Sequence, residues 1–401
     1  MADHIYSNLR NIKGDAVDVI CSDGRIAAIV TAGSGKRPAA ARITDGRGQL
    51  VLPALVESHV HLDKTLWGLP WHPVTAGPGL SSYIANERQV LKSLTVPIAV
   101  RSAALLEHMI AQGSLHIRSH IDVAPDIGLS HVEAMLLLRE KYRGLCDLQL
   151  VAFPQTGMLI APGTAELMEE ALKLGVDHAG GLDPAGIDGD PVTHLKIIFG
   201  MAAKHGCGVD IHLHDRGELG LWQIARIADF TEAYGLRGKV MISHAYCLGM
   251  APEAAIAKPA RRLADLGIAI MTAVPIDPAI PPVALLRQHG VTVCCGSDGI
   301  RDAWSPMGNG DMLERAFLLA FRFEWSKDSE FAAAFDCATA AGAKALGVAA
   351  HGLDVENPAD FMFLDAANIG DALCRRPAAR SIVRRGEVIA EAGKLLHSRA
   401  S

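Results

Sequence analysis

No apolar run in this 401-residue chain reaches the ~18 residues that a membrane-spanning helix needs, so a helical membrane protein is not expected. There is no basic excess either. A net charge of −6 leaves no electrostatic footprint for nucleic acid or an anionic membrane surface. The eight cysteines (Cys21, Cys146, Cys207, Cys247, Cys294, Cys295, Cys337 and Cys374) contain no Cys-x-x-Cys pair. Scattered through so long a chain, they read as buried thiols of a reducing compartment and not as a disulfide framework. The first ten residues lack the uninterrupted apolar segment of a signal peptide, and the expected location is cytoplasmic. No short-period repeat and no low-complexity tail is present. What the chain does have is apolar residues, 50% hydrophobic against 20% charged, enough for a large core.

Those apolar residues fall into strand-length runs. Near the N-terminus Ala16–Cys21, Arg25–Thr31 and, after a Gly/Pro-rich stretch, Gln49–Leu52 read as short strands. Asp360–Leu364, Arg380–Arg385 and Val388–Ala390 match them near the other end. Between these β-rich ends, apolar runs close at His61, Asp122, Pro154, Ala185, His214, His244, Ala273 and Ser297. Amphipathic segments such as Thr164–Leu174, Val192–His205, Trp222–Tyr234 and Ala251–Leu266 separate them. Eight alternations of strand and helix predict a (β/α)8 barrel, whose active site gathers at the C-terminal strand ends. The expected organisation is a TIM-like barrel over 53–352 and a small β-sandwich built from 1–52 and 353–401. The longest gap, His61 to Leu115, carries Gly68, Pro70, Pro73, Gly77, Pro78 and Gly79, and reads as a surface loop over the barrel mouth.

Chemistry concentrates at the strand ends. His59 and His61 are two residues apart, so in an extended strand both imidazoles leave one face and can grip one ion. Either could instead be a hydrogen-bonded core histidine. The arrangement recurs at His212 and His214, however, and His244 and Asp298 close two further runs. His59, His61, His212 and Asp298 would end strands one, one, five and eight, and strand eight neighbours strand one in a closed barrel. Imidazole and carboxylate ligands suit one divalent transition metal, zinc or iron, with a position left for water.

The segments Val56–Asp63, Arg118–Val123, Val151–Gln155, Ser243–Ala245 and Gly296–Asp298, with Asp302-Ala303-Trp304 and Pro306-Met307-Gly308 after the last, occur in an order that resembles the amidohydrolase superfamily, cytosine deaminase-like branch. The resemblance covers nearly the whole chain. It implies a distorted barrel beside a split β domain, a metal-dependent hydrolase, and by family habit a homo-oligomer. Some relatives bridge two metals with a strand-four lysine; here Gly180-Gly181-Leu182-Asp183-Pro184 offers none, so a mononuclear site is expected.

A bound divalent ion lowers the pKa of water from about 15.7 toward 7 and so supplies a nucleophile at neutral pH. Asp298 would accept the water proton, and His244 would orient the attacking oxygen. Cytosine deaminase-like enzymes place a glutamate proton shuttle three residues after the strand-five ligand; this chain has Asp215 there, and the role is shared between Asp215 and His214. Glu218 reads as a solvated helix start. Lys64, following His61-Leu62-Asp63, resembles the triazine-processing N-isopropylammelide amidohydrolases and would pair with a ring oxyanion or carbonyl, unless it is a solvated surface lysine. Gln155 can donate and accept at an amide-like ring edge. Trp304 and Trp67 could stack on a flat ring, and Asp183 could touch substrate or merely cap a turn. Arg118 and Asp122 read as an internal ion pair, and His120, on their face, reads as a pocket-lining residue.

The resulting expectation is a hydrolytic deaminase of an amino-substituted nitrogen heterocycle, releasing ammonia or an amine. Cytosine-type, N-alkylamino-triazine and pterin or purine substrates compete within it. A barrel that has lost its chemistry and serves as a scaffold is the rival class, and retention of all four ligand residues speaks against it. A non-catalytic small-molecule binder has no supporting feature.

Overall fold

The apolar runs of the central region are parallel strands, and they lie in sequence order. The computed structural model describes residues 4–34, 41–277 and 279–396. Five strands come first: β1 (His4–Arg10), β2 (Ala16–Ser22), β3 (Arg25–Thr31), β4 (Arg42–Asp45) and β5 (Leu50–Pro53). The barrel strands follow as β6 (Leu55–Val60), β7 (Ser114–Asp122), β8 (Asp147–Phe153), β9 (His178–Leu182), β10 (Gly208–Leu213), β11 (Val240–His244), β12 (Ala269–Thr272) and β13 (Val293–Cys295). Last come β14 (Phe361–Leu364), β15 (Arg380–Arg384), β16 (Glu387–Glu391) and β17 (Lys394–Leu395).

Strands β6 to β13 pair in unbroken order. The register places Ile211 between Gly181 and Ile242, and every residue of β6, β7 and β10 is buried. Burial on both faces is what a parallel sheet covered by helices requires. The ring closes at its first and last strands. Val60 bridges Asp298 in parallel, and the Asp298 N–H donates to the His59 carbonyl at 2.8 Å. A side chain at Gly296 would put its Cβ 2.6 Å from the His59 Cβ, so only glycine lets the strands meet there.

The gap between β6 and β7 differs from the expected loop. Only its first part is irregular; helices α1 (Leu80–Ser93) and α2 (Ile98–Ala111) follow. Helix α2 buries Leu105, Leu106, Met109 and Ile110 against the barrel. The cluster of helix-breaking residues ends at Gly79; beyond it only Pro97 interrupts, as the N-cap of α2, and the apolar spacing of α2 is helical.

Both chain ends share one nine-stranded sheet, in which β14 pairs antiparallel with β5 and sets Met362 opposite Leu52. Its own small core includes Tyr6, Val19, Phe361 and Phe363. Strand β1 is not evident from hydrophobic pattern because Ser7 and Asn8 interrupt it, at the point where its register with β2 shifts. The short β4 and β17 likewise offer too few residues to show a pattern, and the Gly/Pro-rich stretch before β4 falls largely outside the described residues. Arg384 ties the sheet to the barrel, bonding Asp360 at 2.5 Å and Asp147 at 2.7 Å. All eight cysteines are free thiols, and six are buried; Cys207 is half-buried and Cys374 is exposed, against the expectation. Among the described residues no single helix is long and apolar enough to cross a membrane.

Candidate metal centre

Alternation along β6 sends His59 and His61 to the barrel interior, and β10 brings His212 in from the opposite side. The His61 Nε2 lies 3.3 Å from the His212 Nε2 and 3.3 Å from the Asp298 Oδ1, which is 3.7 Å from the His59 Nε2. Each of the four residues offers one ligand atom, and these atoms all lie within 4.8 Å of one another. Asp298 (φ 61°) and His244 (φ 72°) occupy left-handed backbone conformations at strand ends, as do Asp183 and Val274. Such strain persists only where surrounding packing over-determines it, and it clusters at functional sites.

Beneath the cluster runs a chain of buried polar contacts. Arg118 bonds Asp210 at 3.0 Å, Ser243 donates to the Asp210 Oδ1 at 2.8 Å, and the His59 Nδ1 lies 3.0 Å from the Ser243 Oγ. The hydroxyl hydrogen is committed to a carboxylate, so Ser243 can only accept from His59. That places the His59 proton on Nδ1 and leaves a lone pair on Nε2. The Nε2 is buried and has no hydrogen-bond partner within the protein. A divalent ion with imidazole and carboxylate ligands fits this donor set. Strand β9 carries no lysine, and at Gly180 even a Cβ would fall 2.3 Å from the Ala152 carbonyl oxygen.

The acid/base candidates separate. His214 stacks on His244 with ring centroids 4.4 Å apart at 26°, and lines the cavity above the ligands. Asp183 faces it: the His214 Nδ1 is 2.8 Å from the Asp183 Oδ2, while the Asp183 Oδ1 accepts the backbone N–H of His214. Burial opposes charge on His214, but the adjacent Asp183 more than offsets it and raises the imidazole above its ordinary range. His244 is held well below that range by burial and by the proximity of His214. Burial also opposes ionisation of Asp298, yet its contacts with His59 and His61 hold the carboxyl far below the carboxylate range.

Four expectations change here. Asp215 is absent from the cavity wall; its carboxylate accepts from the Gly186 N–H at 3.0 Å and from Gln223 at 2.8 Å. Asp183 does not reach the cavity as a substrate contact, because both its oxygens are spent on His214 and the adjoining backbone. Arg118 and Asp122 are each in an internal ion pair, but with Asp210 and Arg88, the latter at 2.7 Å. His120 is fully buried below the ligands, its ring centroid 4.0 Å from that of His59, and not in the pocket. Glu218 is exposed at its helix start, as expected.

The cluster floors a cavity of about 1010 Å³. Lys64, Gln155 and Trp304 all line it; Trp67 does not, packing instead on His108 with ring centroids 4.6 Å apart. Lys64 is not a surface lysine. It is 3% exposed, donates to the Gln155 Oε1 at 2.5 Å and lies 5.1 Å above the Phe153 ring. Burial favours the neutral amine, but Asp122, Glu87 and Asp63 outweigh it and raise the Lys64 pKa. Asp210, Ser243 and Glu87 join the site without having been expected there. Asp210 is legible in the sequence, since it precedes His212 by two and shares its face. Nothing in the sequence marks Glu87.

The model of the amidohydrolase family matches residues 42–390. N-isopropylammelide isopropyl amidohydrolase of Pseudomonas sp. (strain ADP) is 30% identical over 358 residues, 86% of this chain and 87% of that protein. The crystal structure of N-isopropylammelide isopropylaminohydrolase from Burkholderia multivorans superposes with a TM-score of 0.95 at 40% identity, covering 99% of this chain and 100% of that one. The 5-methylcytosine deaminase from Klebsiella pneumoniae, liganded with 5-fluorocytosine, gives 0.84 at 28% identity, with 97% of each chain covered.

Proposed function

The chain belongs to the amidohydrolase family and is a hydrolase acting on C–N bonds; from that premise we propose that it removes ammonia or an amine from an amino-substituted, oxo-bearing nitrogen heterocycle with one divalent metal. The observation that carries this reading is the juxtaposition, in one cavity, of the His59, His61, His212 and Asp298 cluster with the Lys64–Gln155 pair. Lys64 can only donate and takes up one lone pair of the Gln155 carbonyl, so the pair turns mainly N–H donors toward the ligand. A ring edge that presents acceptors, as ring carbonyls or an oxyanion do, complements it. Relatives whose names give them N-isopropylammelide and 5-methylcytosine as substrates support the same class.

A zinc or iron ion held by the four ligands would supply a nucleophilic water at neutral pH. Asp298, kept ionised, accepts the water proton. His244 is kept neutral by burial, so it orients the attacking oxygen through its unpartnered Nε2 and does not carry a proton away. The attacked sp² carbon becomes tetrahedral. His214 has its Nδ1 proton anchored on Asp183, so its Nε2 is the atom that passes a proton to the ring nitrogen or the departing amine. Bond cleavage then releases the amine and leaves a carbonyl.

The test is a metal-quantified screen for ammonia or amine release over aminopyrimidines, amino- and alkylamino-triazines, pterins and aminopurines. Turnover of an oxo-bearing member, with KM raised in Lys64→Met, supports the reading. Hydrolysis of dipeptides or open-chain carbamoyl amino acids with no heterocycle turned over overturns it. Within the class, N-alkylamino-triazines are favoured over cytosine-type rings by the higher identity to the ammelide-hydrolysing structure.

A further inference from the structure

Helix α1 closes over the cavity, and along its fourteen residues only Glu87 and Val90 are buried. Burying a carboxylate on the inward face of such a helix costs stability unless the group is paired and hydrogen-bonded. Glu87 is 0% exposed, lies in the cavity wall, and touches two other groups that line it. Its Oε2 accepts from the Trp304 Nε1 at 2.5 Å and lies 3.6 Å from the Lys64 Nζ. One turn earlier Tyr83 stacks on Trp304, with ring centroids 5.2 Å apart at 29°; the adjacent Asn86 donates to the Ala303 carbonyl at 3.3 Å. One carboxylate thus spans the loop after β6, which carries Lys64, and the loop after β13, which carries Trp304.

We propose that Glu87 is a positioning residue for substrate selection: docked with α1, it holds the Lys64 ammonium against Gln155 and the Trp304 indole against Tyr83, and so assembles the edge that reads the ring. Glu87 stands in the cavity wall, but its Oε2 is turned to Trp304 and Lys64, and it acts through them. Without its charge Lys64 keeps its length and its Gln155 contact but loses the anchor on the side of the lid helix. This inference rests on the proposed reading of the heterocycle edge by Lys64.

The test is a double-mutant cycle on whichever oxo-bearing heterocycle is turned over, at pH 8, with Glu87→Gln, Lys64→Met and the pair. Glutamine still accepts from Trp304, so the first variant isolates the charge. We expect kcat/KM to fall about 10-fold or more in Glu87→Gln, because the buried charge contact with Lys64 is lost, mainly through KM. In the Lys64→Met background the same change should add almost nothing, because the two residues act as one unit. Glu87→Asp retains the charge but withdraws it by one methylene, and should show a smaller loss of the same kind. It also serves if the glutamine variant fails to fold. Additive losses, or an unchanged KM in Glu87→Gln, overturn the proposal. Loss in Lys64→Met with none in Glu87→Gln refutes only the part assigned to Glu87. Loss in neither refutes both that part and the ring-edge reading beneath it.

Discussion

Replacing Ser243 with alanine removes one buried hydroxyl that lies outside the cavity wall, and should weaken metal binding far more than its size suggests. In the native protein the hydroxyl accepts from the His59 Nδ1 at 3.0 Å and donates to Asp210 at 2.8 Å. Its loss strands a buried imidazole N–H and leaves Asp210 with Arg118 at 3.0 Å and the more distant His120 Nε2 at 3.7 Å. An unsatisfied buried polar group costs about 1–3 kcal/mol. Part of that cost falls on the fold whether or not metal is bound. The remainder falls on the metal, because the His59 proton is no longer pinned to Nδ1 and the tautomer with a blocked Nε2 becomes populated. Loss of such outer-shell partners typically weakens metal affinity about 10- to 100-fold. Chelator competition with metal quantification measures the affinity. Thermal unfolding with and without metal separates the two contributions, since an ion bound only by the native state raises the midpoint. Ser243→Thr, which retains the hydroxyl, should restore most of the affinity. Unchanged affinity, with the midpoint lowered equally in the metal-free and metal-loaded proteins, would refute the tautomer assignment.

Asp298→Asn should depress kcat about 10²- to 10⁴-fold, the usual contribution of a general base, even in preparations whose metal content stays near wild type; retained kcat would remove Asp298 from the proton path. His214→Asn and Asp183→Asn should each lower kcat, and the double variant should be no worse than the poorer single one; independent losses would show that the pair does not act as one unit. Glu87 faces Lys64, Asp122, Asp302 and its neighbour Arg88, and burial pushes its carboxyl up to about 7 although Lys64 opposes the shift. A raised carboxyl pKa makes the ionised form a liability in the fold, present above about 7 and relieved as pH falls toward the ordinary glutamate range. The Glu87→Gln midpoint should therefore equal or exceed wild type at pH 8, with the difference shrinking toward pH 5. A variant less stable than wild type at pH 8 contradicts this.

The metal-ligand residues are legible in the sequence because their signal is local. Residues two apart on a strand share a face, which marks His59 and His61, and the same rule applied to Asp210 and His212 points to the support under His59. Apolar runs ending in His or Asp likewise mark where the barrel mouth lies. Less local features mislead. Asp215 matches a family position by spacing, yet the chain turns after β10 so that its carboxylate bonds the Gly186 N–H and Gln223. Asp183 resembles a turn cap or a substrate contact, and it orients His214 instead. The Gly- and Pro-rich start of the long gap disguises two helices, one of which carries Glu87.

Hydrophobic periodicity and the two-residue repeat of a strand suffice to dictate the barrel, its strand ends and the four residues that converge there. Both operate over a few residues, so the chain carries them in plain order. Which partner each polar group takes is settled at the level of the closed ring. The hydrogen bonds of Arg118 with Asp210, Lys64 with Gln155 and Trp304 with Glu87 join residues 92, 91 and 217 positions apart. Their register is set by barrel closure at Gly296 and by the docking of α1, and no short-range pattern encodes either.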